Sequence, residues 1–156
     1  MYRLFSGMLL AWVLSTLPGL AHAFDLTGTW QGKQVCKISE ANGQERQVFR
    51  DDVLQITQSG TEVRILMPSL DLLYTGLAFA TADDPNKGAV GFRLCGLSDN
   101  TSTEGEMGNA KVSAKPLAVN GKFKATSIFA DDDEVDTCRW DYKRTSTTDP
   151  GLLPCP

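Results

Sequence analysis

The sequence predicts an all-β fold, namely an eight-stranded antiparallel up-and-down barrel with little or no helix. Apolar and polar residues alternate with a period of two in most of the chain. Turn-forming pairs such as Asn42-Gly43, Ser59-Gly60 and Asn120-Gly121 separate these segments. Because consecutive strands with short connections lose their exposed edges when the sheet closes, a barrel is favoured, and a two-sheet sandwich is the alternative.

Eight strands are predicted between the turns, and the alternation of a half-buried strand is clear in the third, fifth and seventh. In chain order they cover residues 28–39, 46–58, 61–67, 72–81, 89–96, 104–118, 122–130 and 137–145. The seventh strand is the clearest, because Phe123 and Phe129 share one face and Lys124 lies on the other. The second strand changes phase near Asp51-Asp52, and we expect a β-bulge at that point.

The first 23 residues are typical of a secretory signal peptide. Arg3 supplies the positive charge, a mainly apolar stretch extends from Leu4 to Leu20, and Ala21-His22-Ala23 has the small-x-small pattern of a cleavage site. Pro18-Gly19 interrupts the apolar run before it reaches the length of a membrane span. We therefore expect a periplasmic or secreted protein with no membrane anchor after cleavage.

Cleavage would leave one domain of ordinary size, a barrel at 24–147 followed by an irregular Pro-rich tail at 148–156. Without Arg3, 14 basic residues face 19 acidic ones, a net charge of −5. We therefore expect no nucleic-acid partner. The only histidine is His22, in the predicted signal peptide, which excludes His-based catalysis and His-ligated zinc or copper from the remaining chain.

No catalytic residue, cofactor site or metal site is predicted. Carboxylates are abundant, but nothing in their spacing pairs two of them for acid–base catalysis, and no nucleophile motif surrounds a serine. An acid-dependent hydrolase is therefore the least favoured function. The acidic run from Asp131 to Asp136 could bind calcium through clustered carboxylates, but a solvated turn between the last two strands is the favoured interpretation.

After the predicted cleavage site the chain begins Phe24-Asp25-Leu26-Thr27-Gly28-Thr29-Trp30. The triplet Gly28-Thr29-Trp30 resembles the G-x-W opening of the lipocalin and avidin superfamily of barrels. That resemblance implies that Trp30 closes the barrel floor and that Arg144, near the end of the last strand, stacks over it. The sequence departs from lipocalins in having no C-terminal helix, and it has too few tryptophans for the biotin site of avidin.

Two further resemblances concern the setting and the partner. The stretches Gly105–Val112 and Cys138–Arg144 are similar to small exported bacterial proteins without an assigned function, which implies a periplasmic or secreted location. The spacing of Trp30 and Cys36 resembles the start of bacterial metalloprotease inhibitors, which are small disulfide-bonded barrels. In that family an N-terminal arm inhibits the protease, and the segment 24–27 is shorter than such an arm.

Inward-facing aromatic residues lead to two functional hypotheses. Phe92, Phe123, Phe129 and Trp140 would either line a cavity for a ligand or fill the barrel, since an eight-stranded barrel can do both. The leading hypothesis is an exported, non-enzymatic barrel that binds a small apolar molecule. The alternative is a protein-binding inhibitor, for example of a protease, on a filled barrel.

Four cysteines, Cys36, Cys95, Cys138 and Cys155, are expected to form two disulfides in an exported protein, with three possible connectivities. Closure makes the first and last strands antiparallel neighbours. If Arg144 faces Trp30, paired residue numbers sum to 174, and Cys36 then faces Cys138. We therefore predict Cys36–Cys138 and Cys95–Cys155, and Cys36–Cys95 is the alternative.

We predict that the protein recovered from the periplasm or the medium begins at Phe24, because signal peptidase cleaves after the small residue Ala23. N-terminal sequencing tests this directly. An Ala23→Lys variant, which places a large charged residue at the cleavage site, should accumulate as the uncleaved precursor. Recovery of protein with Met1 intact, or with a start well away from Phe24, would contradict the cleavage site.

Overall fold

The computed structural model describes residues 24–97, 107–113, 119–130, 133–153 and 155. The predicted signal peptide lies outside the described residues. The strands are β1 (Gly28–Glu40), β2 (Glu45–Ser59), β3 (Glu62–Met67), β4 (Leu72–Ala80), β5 (Lys87–Leu97), β6 (Met107–Ser113), β7 (Lys122–Ala130) and β8 (Glu134–Ser146). No helix long and apolar enough to cross a membrane occurs among the described residues.

The eight strands form a closed antiparallel barrel in which each pairs with its neighbours in sequence and β8 pairs with β1. The predicted fold class is therefore confirmed, and the sandwich alternative is wrong. The pairing of β1 with β8 follows the predicted register, with Trp30 opposite Arg144 and Cys36 opposite Cys138. The register shifts only at Thr29, next to the point where the chain enters the barrel.

The predicted bulge in the second strand is wrong. β1 and β2 pair without interruption from Gly28↔Ile56 to Ser39↔Glu45. The apolar pattern changes phase because Phe49 points outward and is 70% exposed, whereas Leu54 lies in the core. In the sequence, an exposed aromatic residue produces the same change of phase in the apolar pattern as a β-bulge does.

The last strand begins earlier than predicted, at Glu134 instead of Thr137. Glu134 and Asp136 belong to this strand and are therefore not in a turn, whereas Asp133 lies in a bend just before it. Asp131 and Asp132 lie outside the described residues, as do the outer parts of the predicted sixth strand, 104–106 and 114–118.

β2 continues well beyond the end of its neighbour β3. Pairing between them covers only Gln55–Ser59 with Glu62–Leu66. β3 stops before Pro68, which has no N–H to extend the ladder. At that point the Asp52 carboxylate accepts hydrogen bonds from the N–H of Val53 at 2.6 Å and from the Ser69 hydroxyl at 2.6 Å. These contacts lie beyond the last pair of the β2–β3 ladder, Gln55 with Leu66.

Two disulfides join distant parts of the chain, with the predicted connectivity. Cys36–Cys138 links β1 to β8 inside the barrel, and Cys95–Cys155 attaches the C-terminal tail to β5. The tail is also held on the outer surface where Thr57 donates to Asp149 at 2.7 Å and Arg64 donates to the carbonyl of Leu152 at 3.3 Å. Two disulfides are compatible with an extracellular or periplasmic protein.

We predict that the double variant Cys36→Ala/Cys138→Ala lowers the free energy of unfolding by about 4.7 kcal/mol, the loop-closure value for a loop of ~100 residues. The reference variant Cys95→Ala/Cys155→Ala opens a shorter loop of 60 residues and leaves the barrel seam intact, so its loss should be smaller. Denaturant titration of both variants measures the difference. An equal or larger loss in the reference variant would contradict the assignment of the first disulfide to the seam.

Candidate functional site

Trp30 and Arg144 close the end of the barrel that contains the N-terminus of the described chain. Both side chains are buried, and the Arg144 guanidinium lies 5.2 Å from the centroid of the Trp30 ring. The Trp30 indole donates to the carbonyl of Leu26 at 2.9 Å, and Arg144 donates to the carbonyls of Asp25 at 2.9 Å and Thr27 at 3.3 Å. Burial lowers the pKa of Arg144, and the negative charge of Asp25 opposes that shift. This pair fastens the segment 24–27 to the barrel.

The first residues of the described chain are part of this floor. Phe24 and Leu26 are almost completely buried. Phe24 packs directly on Gly88 of β5, where a β-carbon would collide with its ring. The segment therefore covers the end of the barrel and does not project from it, unlike an inhibitory N-terminal arm.

Three of the four aromatic residues predicted to face the interior form one packed cluster. Phe92, Phe123 and Trp140 are almost fully buried. The ring centroid of Trp140 lies 5.2 Å from that of Phe92 and 6.5 Å from that of Phe123. Tyr74 adds edge contacts to Phe92 at 5.6 Å and to Trp140 at 5.5 Å. These distances are those of aromatic rings in direct contact, so the cluster fills the barrel at this level.

Two glycines make room for the largest of these contacts. Phe92 on β5 pairs with Gly76 on β4 and with Gly108 on β6. A β-carbon at Gly108 would collide with the Phe92 ring and lie 2.8 Å from the carbonyl of Thr126. A β-carbon at Gly76 would lie 3.0 Å from the β-carbon of Phe92. The Phe92 ring and its β-carbon thus occupy space that a side chain at Gly108 or Gly76 would need.

Phe129, the fourth aromatic residue of the prediction, lies apart from this cluster. It is half-buried near the end of β7, opposite Asp136 of β8. It is not among the buried side chains that form the core. The structure therefore brings together Phe92, Phe123 and Trp140, and it places Phe129 towards the other end of the barrel.

Sequence reasoning missed a strip of buried polar groups on the inner wall. The Trp140 indole donates to the Ser127 hydroxyl at 3.0 Å. Gln34 and Tyr142 are buried nearby on β1 and β8, and within the described part of the chain the Gln34 carbonyl and the Tyr142 hydroxyl lack hydrogen-bond partners. Burial, followed by the charge of Asp52, raises the pKa of Tyr142, so its phenol stays protonated. Strand alternation places these positions inward but gives no reason for their polarity.

A groove of about 1020 Å³ lies on the outside of the barrel, across β3 to β7. Its lining includes four exposed apolar side chains, Leu77, Phe79, Met107 and Ile128, together with Phe92, Ala130 and Cys155. Gly91 of β5 lies between them, and a β-carbon there would meet only the Asn109 side chain, at 3.6 Å. Charged residues of the lining are Glu62 and Arg64 on β3 and Arg93 on β5, which pairs with Met107 of β6. The groove therefore combines apolar and charged side chains.

Sequence analysis also missed this groove, although β4 contains a signal for it. Its sequence, LLYTGLAFA, is apolar on both faces. Tyr74 and Ala78 are buried in the core, whereas Leu77 and Phe79 alternate with them and are exposed. A strand that is apolar on both faces is expected to be covered on both sides. Here the described residues cover only the inner face.

Comparisons of the chain with protein-family models, with curated proteins and with solved structures find no match. The candidate site therefore rests on geometry alone. The two candidate regions are the aromatic cluster inside the barrel and the groove outside it.

We predict that Phe92→Ala lowers the free energy of unfolding by about 3–5 kcal/mol, the usual cost of emptying a packed aromatic site. Phe79→Ala removes the same side chain from an exposed position of β4, so its cost should be below ~1 kcal/mol. Denaturant titration compares the two variants. Similar small losses for both would mean that Phe92 lines open space and that the interior is a ligand cavity.

Proposed function

We propose that this chain is an exported, non-enzymatic binding protein and that it binds a protein partner through the outer groove. The observation that carries the proposal is the clustering of exposed apolar side chains. Half of the exposed large apolar residues of the described chain line this one groove, namely Leu77, Phe79, Met107 and Ile128. Contiguous apolar surface with a polar rim is typical of interaction sites.

The packed interior supports this proposal over a ligand carrier. Phe92, Phe123 and Trp140 contact one another where a carrier would need open space. A filled barrel with two disulfides is a rigid scaffold, which lowers the entropy that a surface loses when it binds. The proposal thus follows the filled-barrel alternative.

The groove is also the surface through which we expect an inhibitor of this shape to act. Phe24 and Leu26 are held in the floor and cannot reach a protease active site. The lining bears both signs of charge, with Glu62 on β3 and Arg93 on β5. The partner that matches this surface presents an apolar segment with charged residues on either side of it.

A small apolar molecule in the same groove is the second candidate. A volume of about 1020 Å³ is close to the upper end of small-ligand sites, which range from ~300 to ~1,000 Å³. In this case the lipocalin-like resemblance would hold for the architecture, and the ligand would lie outside the wall instead of inside it. A retained ligand in native mass spectrometry would favour this candidate.

The experiment uses Met107, an exposed residue of the groove lining, as the position of a photo-crosslinking amino acid in the exporting cell. We expect one protein adduct, identified by mass spectrometry, and no such adduct from the same residue at Val119, which is similarly exposed but lies outside the groove. The dissociation constant of the identified partner is then measured with purified variants. Adducts that are identical at both positions would argue against a groove-specific partner.

We predict that Ile128→Lys weakens this binding by roughly thirtyfold, the loss of about 2 kcal/mol that is expected when a central apolar contact is removed. Val119→Lys introduces the same charge at an equally exposed aliphatic position and should leave the dissociation constant unchanged. Calorimetric titration of both variants provides the measurement. Equal weakening by the two substitutions would point to a general charge effect and reject the groove.

A further inference from the structure

The part of β2 that extends beyond β3 has a free edge. The pairing of β2 with β1 extends from Ile56 to Glu45. Its pairing with β3 extends only from Ser59 to Gln55. In the described residues no other strand pairs with segment 45–53 on that side. We call this segment the β2 edge. Exposed strand edges tend to pair with another strand, because their backbone groups are unpaired.

The backbone groups that face this edge belong to odd-numbered residues. Glu40 N–H donates to the carbonyl of Gln44 at 2.9 Å across the β1–β2 hairpin, and Gln58 N–H donates to the Thr27 hydroxyl at 3.2 Å. Even-numbered residues of β2 therefore direct their backbone groups towards β1. Since direction alternates along an antiparallel strand, those of Gln47, Phe49 and Asp51 point away from β1, to the free side.

The β2 edge is bounded at one end and apolar at its centre. At the boundary, the Asp52 carboxylate already accepts the Val53 N–H. At the centre, Phe49 is 70% exposed on the outer face, the most exposed aromatic residue among the large apolar side chains described. A partner strand placed here would gain backbone hydrogen bonds and would cover this ring.

We propose that the β2 edge pairs antiparallel with the same edge of a second copy of this chain. The two-fold axis passes beside Phe49, and the sheet formed by β8, β1 and β2 continues into the second copy. Self-association of this kind is isologous, so each contact occurs twice. The proposal is independent of the outer groove, because the groove lies on β3 to β7.

Backbone direction restricts the register of this pairing. Odd-numbered residues must face odd-numbered residues, because only these offer both N–H and C=O groups to the edge. In the register centred on Phe49, the two Phe49 rings are neighbours on the outer face, and Gln47 faces Asp51. On the inner face Arg46 comes opposite Asp52, but Arg46 already lies 3.6 Å from Glu40 and from Glu134, and the Asp52 carboxylate already accepts two hydrogen bonds. The main gain of this register is therefore the aromatic pair.

The neighbouring registers oppose like charges. A shift of two in one direction centres the pair on Val48 and places Arg46 opposite Arg50 and Glu45 opposite Asp51. A shift of two in the other direction places the two copies of Arg50 opposite each other. Facing like charges destabilise an antiparallel pair. Of these three registers, only the one centred on Phe49 avoids opposing like charges, which favours a second copy as the occupant.

The test is site-specific disulfide crosslinking of the full exported protein. In the register centred on Phe49, the two copies of residue 49 have α-carbons about 5.5 Å apart, within the disulfide range. Phe49→Cys should therefore form a covalent homodimer under mild oxidation. The two copies of residue 47 would be about 14 Å apart along the strand, so Gln47→Cys alone should not crosslink. A mixture of the Gln47→Cys and Asp51→Cys proteins should crosslink as a heterodimer.

Sedimentation of proteins without added cysteine completes the test. The unmodified protein should show a monomer–dimer equilibrium, and Phe49→Pro should weaken dimerisation at least tenfold, since proline removes the edge donor and is tolerated where an edge N–H faces solvent. The groove variant Ile128→Lys should dimerise normally, which separates failure of the groove from failure of this proposal. A protein that remains monomeric at millimolar concentration, crosslinking of Gln47→Cys to itself, or an unchanged dimer in Phe49→Pro would each overturn the proposal.

Discussion

The pairing of β1 with β8 is the constraint on which the rest of the structure depends. It converts a meander of local hairpins into a closed wall, and Cys36–Cys138 joins the two strands covalently inside that wall. The same register sets Arg144 over Trp30 at the floor. A slip by one residue would move every inward side chain of either strand to the outer face. The disulfide and the cation–π pair therefore support the same alignment from two levels of the barrel.

Closure at this register has a consequence for the interior. Trp140 of β8 lies at the centre of the barrel and contacts Phe92 and Phe123, while Gly76 and Gly108 leave space for Phe92. Large and small residues on neighbouring strands thus fill the core together. The protein's own rings occupy the interior at this level, and β3 to β7 present an apolar groove on the outer surface.

The barrel has two exposed surfaces of different kinds, the β2 edge and the outer groove. Pro68 ends β3 early, so β2 extends past it with unpaired backbone groups and an exposed Phe49. The outer groove offers apolar side chains on strands that pair with a neighbour on each side. The β2 edge suits another strand, because its unpaired main-chain groups can form hydrogen bonds with that strand. The second suits side chains of a partner.

The sequence by itself determined the strand count and the barrel, because alternation and turn pairs are local signals. The β1–β8 register came from the resemblance that sets Arg144 over Trp30, and that register then placed Cys36 opposite Cys138. The sequence also placed Phe92, Phe123 and Trp140 inside. Only the tertiary structure decided that these rings pack against one another, since packing depends on glycines from other strands. It also decided that Phe129 lies apart, that Phe49 marks an exposed face instead of a bulge, and that Leu77 and Ile128, distant in sequence, share one groove. Alternation assigns a side chain to a face of its own strand, whereas a site requires the curvature and neighbours that closure creates.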